Sequence, residues 1–245
     1  MKKFWNLNTE NGETTIELMH EIAGADAYGD SIATSNGFRR ELMQAQGDLR
    51  VLINSPGGDV FAAADIYDAL REYAQKRGKV HCHITGLAAS AASVIAMAGD
   101  EVSIAPMGMM MIHNPWSGVM GNATELRDMA DVLDDIREGL IYAYCRKTGR
   151  DAAEIRALLD KETWMGAEEA LELGFVDCIC DGGVRVAAMA VDGARIAGQL
   201  PALRRAAQTL RAQLRGAGDA GGAQDAAVAD ERTRIAAQLT LMSME

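Results

Sequence analysis

The sequence predicts an α/β fold in which parallel strands are joined by crossover helices. Three observations predict it. Short apolar runs such as Leu49–Asn54 (LRVLIN) and Val80–Thr85 (VHCHIT) have the length and side chains of buried strands. Between them lies a segment of helical spacing, Val60–Lys76, with Ile66, Leu70 and Tyr73 on one face. Breakers, Ser55-Pro56-Gly57-Gly58 above all, stand where strand pattern gives way to helix pattern.

Taken in order, Ile16–Ala23 reads as a short strand. Thr34–Gln46 reads as a helix with Phe38, Leu42 and Ala45 on one face. The strand Leu49–Asn54, the helix Val60–Lys76 and the strand Val80–Thr85 follow, and Gly86 is expected to end that last strand. Ala89–Ala98 is expected to be helical, and Glu101–Ala105 and Met109–His113 to be strands. Thr124–Lys147 reads as one long helix. Its Leu126, Met129, Leu133, Ile136, Leu140 and Tyr144 recur in steps of three and four, a seam suited to packing on another helix. Asp151–Leu159 and Ala167–Leu173 are two shorter helices. Gly174 is placed as a C-cap, before a strand at Phe175–Ile179.

After Asp181 the texture changes. Val184–Val191 reads as one more strand, Pro201–Arg215 as an Ala/Arg/Gln-rich helix, and Gly216–Gly222 as a flexible linker. A final amphipathic piece runs from about Asp225 to Met242. The expected division is a domain over residues 1–182 and a C-terminal extension over 183–245. No repeat of solenoid period is visible.

Composition narrows the function classes. The 245 residues are 49% hydrophobic, enough for a sizeable core, and only 5% aromatic. The formal charge is -11, unevenly spread. Residues 1–181 carry 16 Lys/Arg against 29 Asp/Glu, and residues 182–245 carry 8 against 6. An acidic body argues against nucleic acid as a partner. The opening MKKFWNLNTENG is not followed by an apolar stretch, so no signal peptide is expected. Ile84–Ala98 is too short to span a bilayer, which takes roughly 18 residues or more, so no membrane association is expected. Cys82, Cys145, Cys178 and Cys180 lack a C-x-x-C pair. They read as reduced thiols of a cytoplasmic protein, with Cys178 and Cys180 as alternate residues of a strand rather than metal ligands.

Four pieces carry candidate chemistry. Ser90, in Gly86-Leu87-Ala88-Ala89-Ser90-Ala91-Ala92-Ser93, follows a buried strand and opens a helix among small residues. Such a turn can point a hydroxyl out of the sheet, where the helix N-terminus favours negative charge, as at a nucleophile elbow. Taken alone, the segment is more often an N-cap serine. His113, in Met111-Ile112-His113-Asn114-Pro115, stands at a strand end where its imidazole can meet another element. His81 and His83 alternate within a strand and read as structural. Gly57 and Gly58, just past a strand, can direct backbone N–H groups into a cleft. The pattern is not a phosphate-binding loop, and an ordinary Pro-Gly turn is the plainer reading. Leu159-Asp160-Lys161-Glu162-Thr163-Trp164 holds two carboxylates that could orient an imidazole, although a charge cluster is commonly a solvated loop.

Together these pieces resemble ClpP, the proteolytic subunit of the Clp protease. The likeness rests on I-N-S-P-G-G at Ile53–Gly58, G-x-A-A-S at Gly86–Ser90 and M-I-H-x-P at Met111–Pro115. A-x-E-A-x-x-x-G-x-V-D at Ala167–Asp177 completes it. Four motifs in order are far more specific than any one, and the resemblance covers roughly residues 16–181. Ser55–Phe61, Glu162–Trp164 and the added C-terminal segment look most like the ClpP-related head-maturation proteases of tailed phages and prophages.

The resemblance implies a ClpP/crotonase-like fold of repeated βαβ units, with Thr124–Lys147 as a protruding handle helix, plus a variable C-terminal tail. It implies Ser90 as nucleophile, His113 as general base, and the backbone N–H groups of Gly58 and Ala91 as the oxyanion hole. The family's third acid is Asp; the aligned position here is Glu162, with Asp160 the alternative. No metal or other cofactor is implied. The implied partners are a polypeptide substrate, a homo-oligomeric ring (a heptamer or stacked heptamers), and a capsid or portal-type protein reached through the tail. Two other readings share the fold: a catalytically silent assembly scaffold, and a crotonase-type acyl-CoA enzyme that would need neither Ser90 nor His113.

Overall fold

The computed structural model describes residues 3–10, 13–23, 35–181 and 184–185. These fall in a compact unit spanning Met1–Ala187. Its strands are β1 (Trp5–Glu10), β2 (Glu13–Leu18), β3 (Leu49–Ser55), β4 (Val80–Ala89), β5 (Glu101–Ile104), β6 (Met109–Ile112), β7 (Thr163–Gly166), β8 (Cys178–Asp181) and β9 (Val184–Arg185). Its helices are α1 (Ser35–Leu42), α2 (Val60–Lys76), α3 (Ala91–Ala96), α4 (Ala123–Thr148), α5 (Ala152–Asp160) and α6 (Ala167–Glu172).

The sheet is mixed α/β in character. β2, β3, β4 and β5 run parallel in that order, and β8 joins β5 in parallel. Antiparallel partners are added where the chain turns back, β1 on β2, β7 on β6 and β9 on β8. Along β3 the buried residues are Leu49, Val51, Ile53 and Ser55, and the residues between them are exposed or half-buried. α2 turns Ala62, Ala63, Ile66, Tyr67, Ala69, Leu70 and Tyr73 inward, and the Asp59 carboxylate caps it by accepting from the Ala62 N–H at 2.7 Å.

The structure corrects several sequence expectations. β4 does not end at Gly86 but runs on to Ala89, because the chain bulges there. Ile53 pairs with Ile84 but Ser55 pairs with Ala88, so β4 holds two extra residues. The Asn54 side chain fills the gap by accepting from the Leu87 N–H at 3.1 Å. A Cβ at Gly86 would stand 2.8 Å from that same Asn54 oxygen, which is why glycine sits in mid-strand. Past the bulge β4 leaves β5 and pairs with β6 instead.

The strand expected at Ile16–Ala23 begins earlier, as the second arm of the β1–β2 hairpin. The strand expected at Phe175–Ile179 lies later, at Cys178–Asp181, since Phe175 and Val176 are held to Ala170 by helix-ending bonds. The loop expected at Leu159–Trp164 contains the start of β7. The strand expected at Val184–Val191 is described only at Val184–Arg185. The rest of it, the helix expected at Pro201–Arg215, the linker Gly216–Gly222 and the final amphipathic piece lie outside the described residues.

The seam of α4 also reads differently in the structure. Leu140 and Tyr144 are buried, but no residue from Ala123 to Gly139 is, and Leu126 and Val132 are exposed. The helix is long because its ends are well made. Asn122 and Glu125 form a capping box, and Gly149 closes the far end in the left-handed conformation.

His81 and His83 share a face of β4, opposite Glu101 and Ser103 of β5. The buried His83 ring lies 2.8 Å from the Ser103 hydroxyl through Nδ1. Burial, and then the charge of Arg50, push its pKa below the usual histidine value. The unfolded chain therefore takes up this proton near the ordinary value of about 6.5, and the folded chain only at lower pH. Stability is lost as pH falls through that window. His83→Gln is expected to give a melting temperature that falls less steeply than wild type below about pH 6.5. Parallel slopes in thermal melts would contradict this.

Candidate active site

Ser90, His113 and the Gly57-Gly58 turn all stand just past the carboxyl ends of strands, of β4, β6 and β3 respectively. That edge is where parallel α/β sheets present their loops. Ser90 joins β4 directly to α3 and has φ 53° and ψ -125°, a conformation that costs a non-glycine residue of the order of 1–3 kcal/mol. The neighbouring backbone holds it there. Its N–H donates to the Met111 carbonyl at 2.8 Å. Its carbonyl accepts from the Ser93 N–H at 3.0 Å and the Ser93 hydroxyl at 2.6 Å. The hydroxyls of Ser93 and Tyr144 are 2.8 Å apart, and burial raises the Tyr144 pKa, which keeps the phenol neutral. Ser90 is the N-cap of α3, but its side chain makes no cap bond. The hydroxyl lies instead 2.7 Å from His113 Nε2.

His113 directly follows β6. The antiparallel ladder between β6 and β7 pairs Met111 with Trp164 and Ile112 with Thr163. The ladder ends there, and His113 and Glu162 are the next residues beyond its last pair. Glu162 has φ 52°, a left-handed turn just before β7, and its Oε1 accepts from the Trp164 indole N–H at 3.5 Å. Asp160 is engaged elsewhere. Its Oδ1 accepts from the Asn114 amide at 2.8 Å and lies 4.0 Å from the Arg137 guanidinium of α4.

The two glycines run against the elbow. Gly57 has φ 99°, and a Cβ there would lie 2.7 Å from the Ser90 Cβ and 3.0 Å from the Ala91 nitrogen. Gly58 has φ 143° and bridges Ile22 in parallel. The bonds of that bridge are made by the Gly57 carbonyl and the Asp59 N–H, at 2.7 and 2.8 Å. In a parallel bridge of this kind the central residue turns its own N–H to the other side, which directs the Gly58 N–H away from Ile22. Ser55 braces the turn from below, donating to the His20 carbonyl at 2.6 Å and accepting from the Gly57 N–H at 3.2 Å.

A family model described as Clp protease matches residues 33–183. The chain belongs to the Clp protease family. It is 38% identical over 130 residues to the ATP-dependent Clp protease proteolytic subunit 1 of Protochlamydia amoebophila, covering 51% of this chain and 62% of that protein. Against the ATP-dependent Clp protease proteolytic subunit of Bacteroides fragilis the identity is 33% over 132 residues, 53% of this chain and 62% of the relative. For that of Porphyromonas gingivalis it is 34% over 140 residues, 55% and 60%. The chain thus spans about three fifths of the length of these relatives. Among the described residues no helix is long and apolar enough to cross a membrane.

Within this Clp protease domain, the Ser93–Tyr144 pair that fastens the elbow was not foreseen from sequence. Ser93 stands three residues after Ser90, a spacing that offers its hydroxyl to the Ser90 carbonyl. Tyr144 reads in the sequence only as one more apolar seam position of α4. Its phenol finds a partner 51 residues away, and no local pattern signals that.

Proposed function

We propose that this chain is a serine endopeptidase of the ClpP type, working through an acyl-enzyme on Ser90. The observation that carries the reading is the 2.7 Å contact between Ser90 Oγ and His113 Nε2 at a backbone turn of positive φ. Neither a scaffold nor an acyl-CoA enzyme of the related fold requires that contact. In the proposed sequence the Ser90 hydroxyl attacks the peptide carbonyl while His113 Nε2 takes its proton. The N–H groups of Gly58 and Ala91 receive the negative charge that develops on the carbonyl oxygen. His113 then protonates the leaving amine, and water enters by the same route in reverse. The test is hydrolysis of an unfolded polypeptide by the purified full chain. Turnover that survives loss of the Ser90 hydroxyl would overturn the proposal.

Glu162 is proposed as the third acid, orienting the His113 ring and stabilising its charged form. The support is that His113 and Glu162 are the next residues beyond the last pair of the β6–β7 ladder, while Asp160 accepts from Asn114. Glu162→Gln should slow reaction of Ser90 with a phosphonate by roughly 10²–10⁴-fold. Asp160→Asn should change it little. If only Asp160→Asn slows the reaction by orders of magnitude, Asp160 is the acid.

The remaining parts of the proposal concern assembly and setting. α4 serves as the handle of a homo-oligomeric ring, supported by the unburied stretch Ala123–Gly139 with Leu126 and Val132 exposed along it. The catalytic domain ends near residue 182, and the segment after about Pro201 is dispensable for catalysis. A truncation at Leu200 that assembles yet loses peptidase activity would refute this. Phage or prophage capsid maturation is the proposed setting, with a capsid or portal-type partner for the tail. Its support is the sequence resemblance at Ser55–Phe61 and Glu162–Trp164.

A further inference from the structure

We propose that Cys178 and Cys180 of β8 form an oxidisable dithiol, a modification site that closes to an intrastrand disulfide under a thiol-disulfide oxidant such as oxidised glutathione. The two are alternate residues of one strand, so their side chains share a face. Their sulfurs are 3.1 Å apart, closer than ordinary non-bonded contact and only about 1 Å longer than an S–S bond. Cys178 is half-buried and can meet an oxidant, whereas Cys180 is buried. That division suits an attacking and a resolving thiol.

The other two cysteines are poorly placed to compete. Cys82 is fully buried, and burial pushes its thiol up to about 12. Burial also raises the thiol of Cys145, with the carboxylate of Asp151 adding to the effect. Thiols so raised carry little of the nucleophilic thiolate.

The chemistry balances without a metal. The Cys178 thiolate attacks one sulfur of the oxidant, giving a mixed disulfide and releasing one glutathione thiol. Cys180 then attacks the Cys178 sulfur, the mixed bond breaks, and a second glutathione thiol leaves. Two cysteine protons pass to the two leaving thiolates, the pair is oxidised by two electrons, and the glutathione disulfide is reduced by two.

Geometry makes this bond a reversible one. Two residues of extended strand put the Cα atoms about 6.4–6.8 Å apart, at the upper end of the disulfide range. Closing the bond therefore puckers β8 where it pairs with β5 through Ser103–Cys178 and Ile104–Ile179. The pucker falls directly after Asp177, which accepts from the Val102 N–H at 2.6 Å and from Lys147 of α4 at 2.5 Å. A strained disulfide of this kind is reduced readily, which suits a labile mark rather than a structural staple.

The test uses the full chain incubated with oxidised glutathione, alkylated, unfolded, alkylated again and cut with trypsin without reductant. The peptide from Glu162 to Arg185 contains both cysteines and excludes Cys82 and Cys145. It is expected to lose two hydrogens and carry no alkyl group, to regain both thiols with dithiothreitol, and to come from a form that melts lower than the reduced chain. Cys180→Ser is expected to trap glutathione on Cys178, and Cys178→Ser to take up none. Recovery of the wild-type peptide with both cysteines alkylated, or with a persistent glutathione adduct, would overturn the proposal. So would an oxidised form that melts higher than the reduced one.

Discussion

Ser90→Ala is expected to lower hydrolysis of an unfolded polypeptide by roughly 10⁴–10⁶-fold while leaving the melting temperature within a few degrees of wild type. The size of the loss follows from what the hydroxyl does. It lies 2.7 Å from His113 Nε2, and it makes no N-cap bond to α3. The backbone at Ser90 is held by Met111 and Ser93 through bonds that alanine keeps. Alanine also keeps the positive φ at comparable cost, because both residues have a Cβ. A variant that stays folded and still turns over at more than a small percentage of the wild-type rate would remove Ser90 from the mechanism. His113→Ala should fall to a similar level, and the double variant little further, since groups that act as one unit do not add.

Gly58→Ala should also be damaging, though less so and by a different route. A Cβ at Gly58 would stand 2.1 Å from the Ile22 carbonyl oxygen and 2.9 Å from the Ile22 nitrogen, all backbone atoms that no rotamer change can move aside. The φ of 143° adds a conformation that L side chains rarely adopt. The turn must therefore shift, and with it the N–H proposed as an oxyanion donor. Loss of one such donor costs roughly 10²–10³-fold in turnover. The expected result is that loss, with the far-ultraviolet circular dichroism retained. Full activity in Gly58→Ala would show that the Gly58 N–H does not serve the reaction.

How much of this was legible in the sequence depended on how local each signal was. α2 was readable to the residue because its apolar spacing and the Ser55–Gly58 breaker before it lie in or beside the segment itself. The ordered motifs around Ser90, His113 and Gly58 are equally local, and they mark the candidate residues in the sequence itself. The resemblance aligned Glu162 as the third acid, with Asp160 as the alternative. What bears on that proposal in the structure is not local: β7 is four residues with too little alternation to announce a strand, and its register with β6 is set by partners some fifty residues apart. Gly86 shows the same limit. Glycine after VHCHIT reads as a stop, yet here it makes room for Asn54, a contact that only the β3–β4 pairing reveals. The β1–β2 hairpin carries no such signal, because β1 buries little beyond Trp5 and is a mostly polar run without an apolar stripe.

The most direct measurement is the reaction of the full chain with a serine-directed fluorophosphonate, followed by mass analysis of the modified peptide. The expected result is that one serine is modified, that it is Ser90, and that His113→Ala abolishes the reaction. Modification at another serine, or none in a folded and assembled preparation, would contradict it.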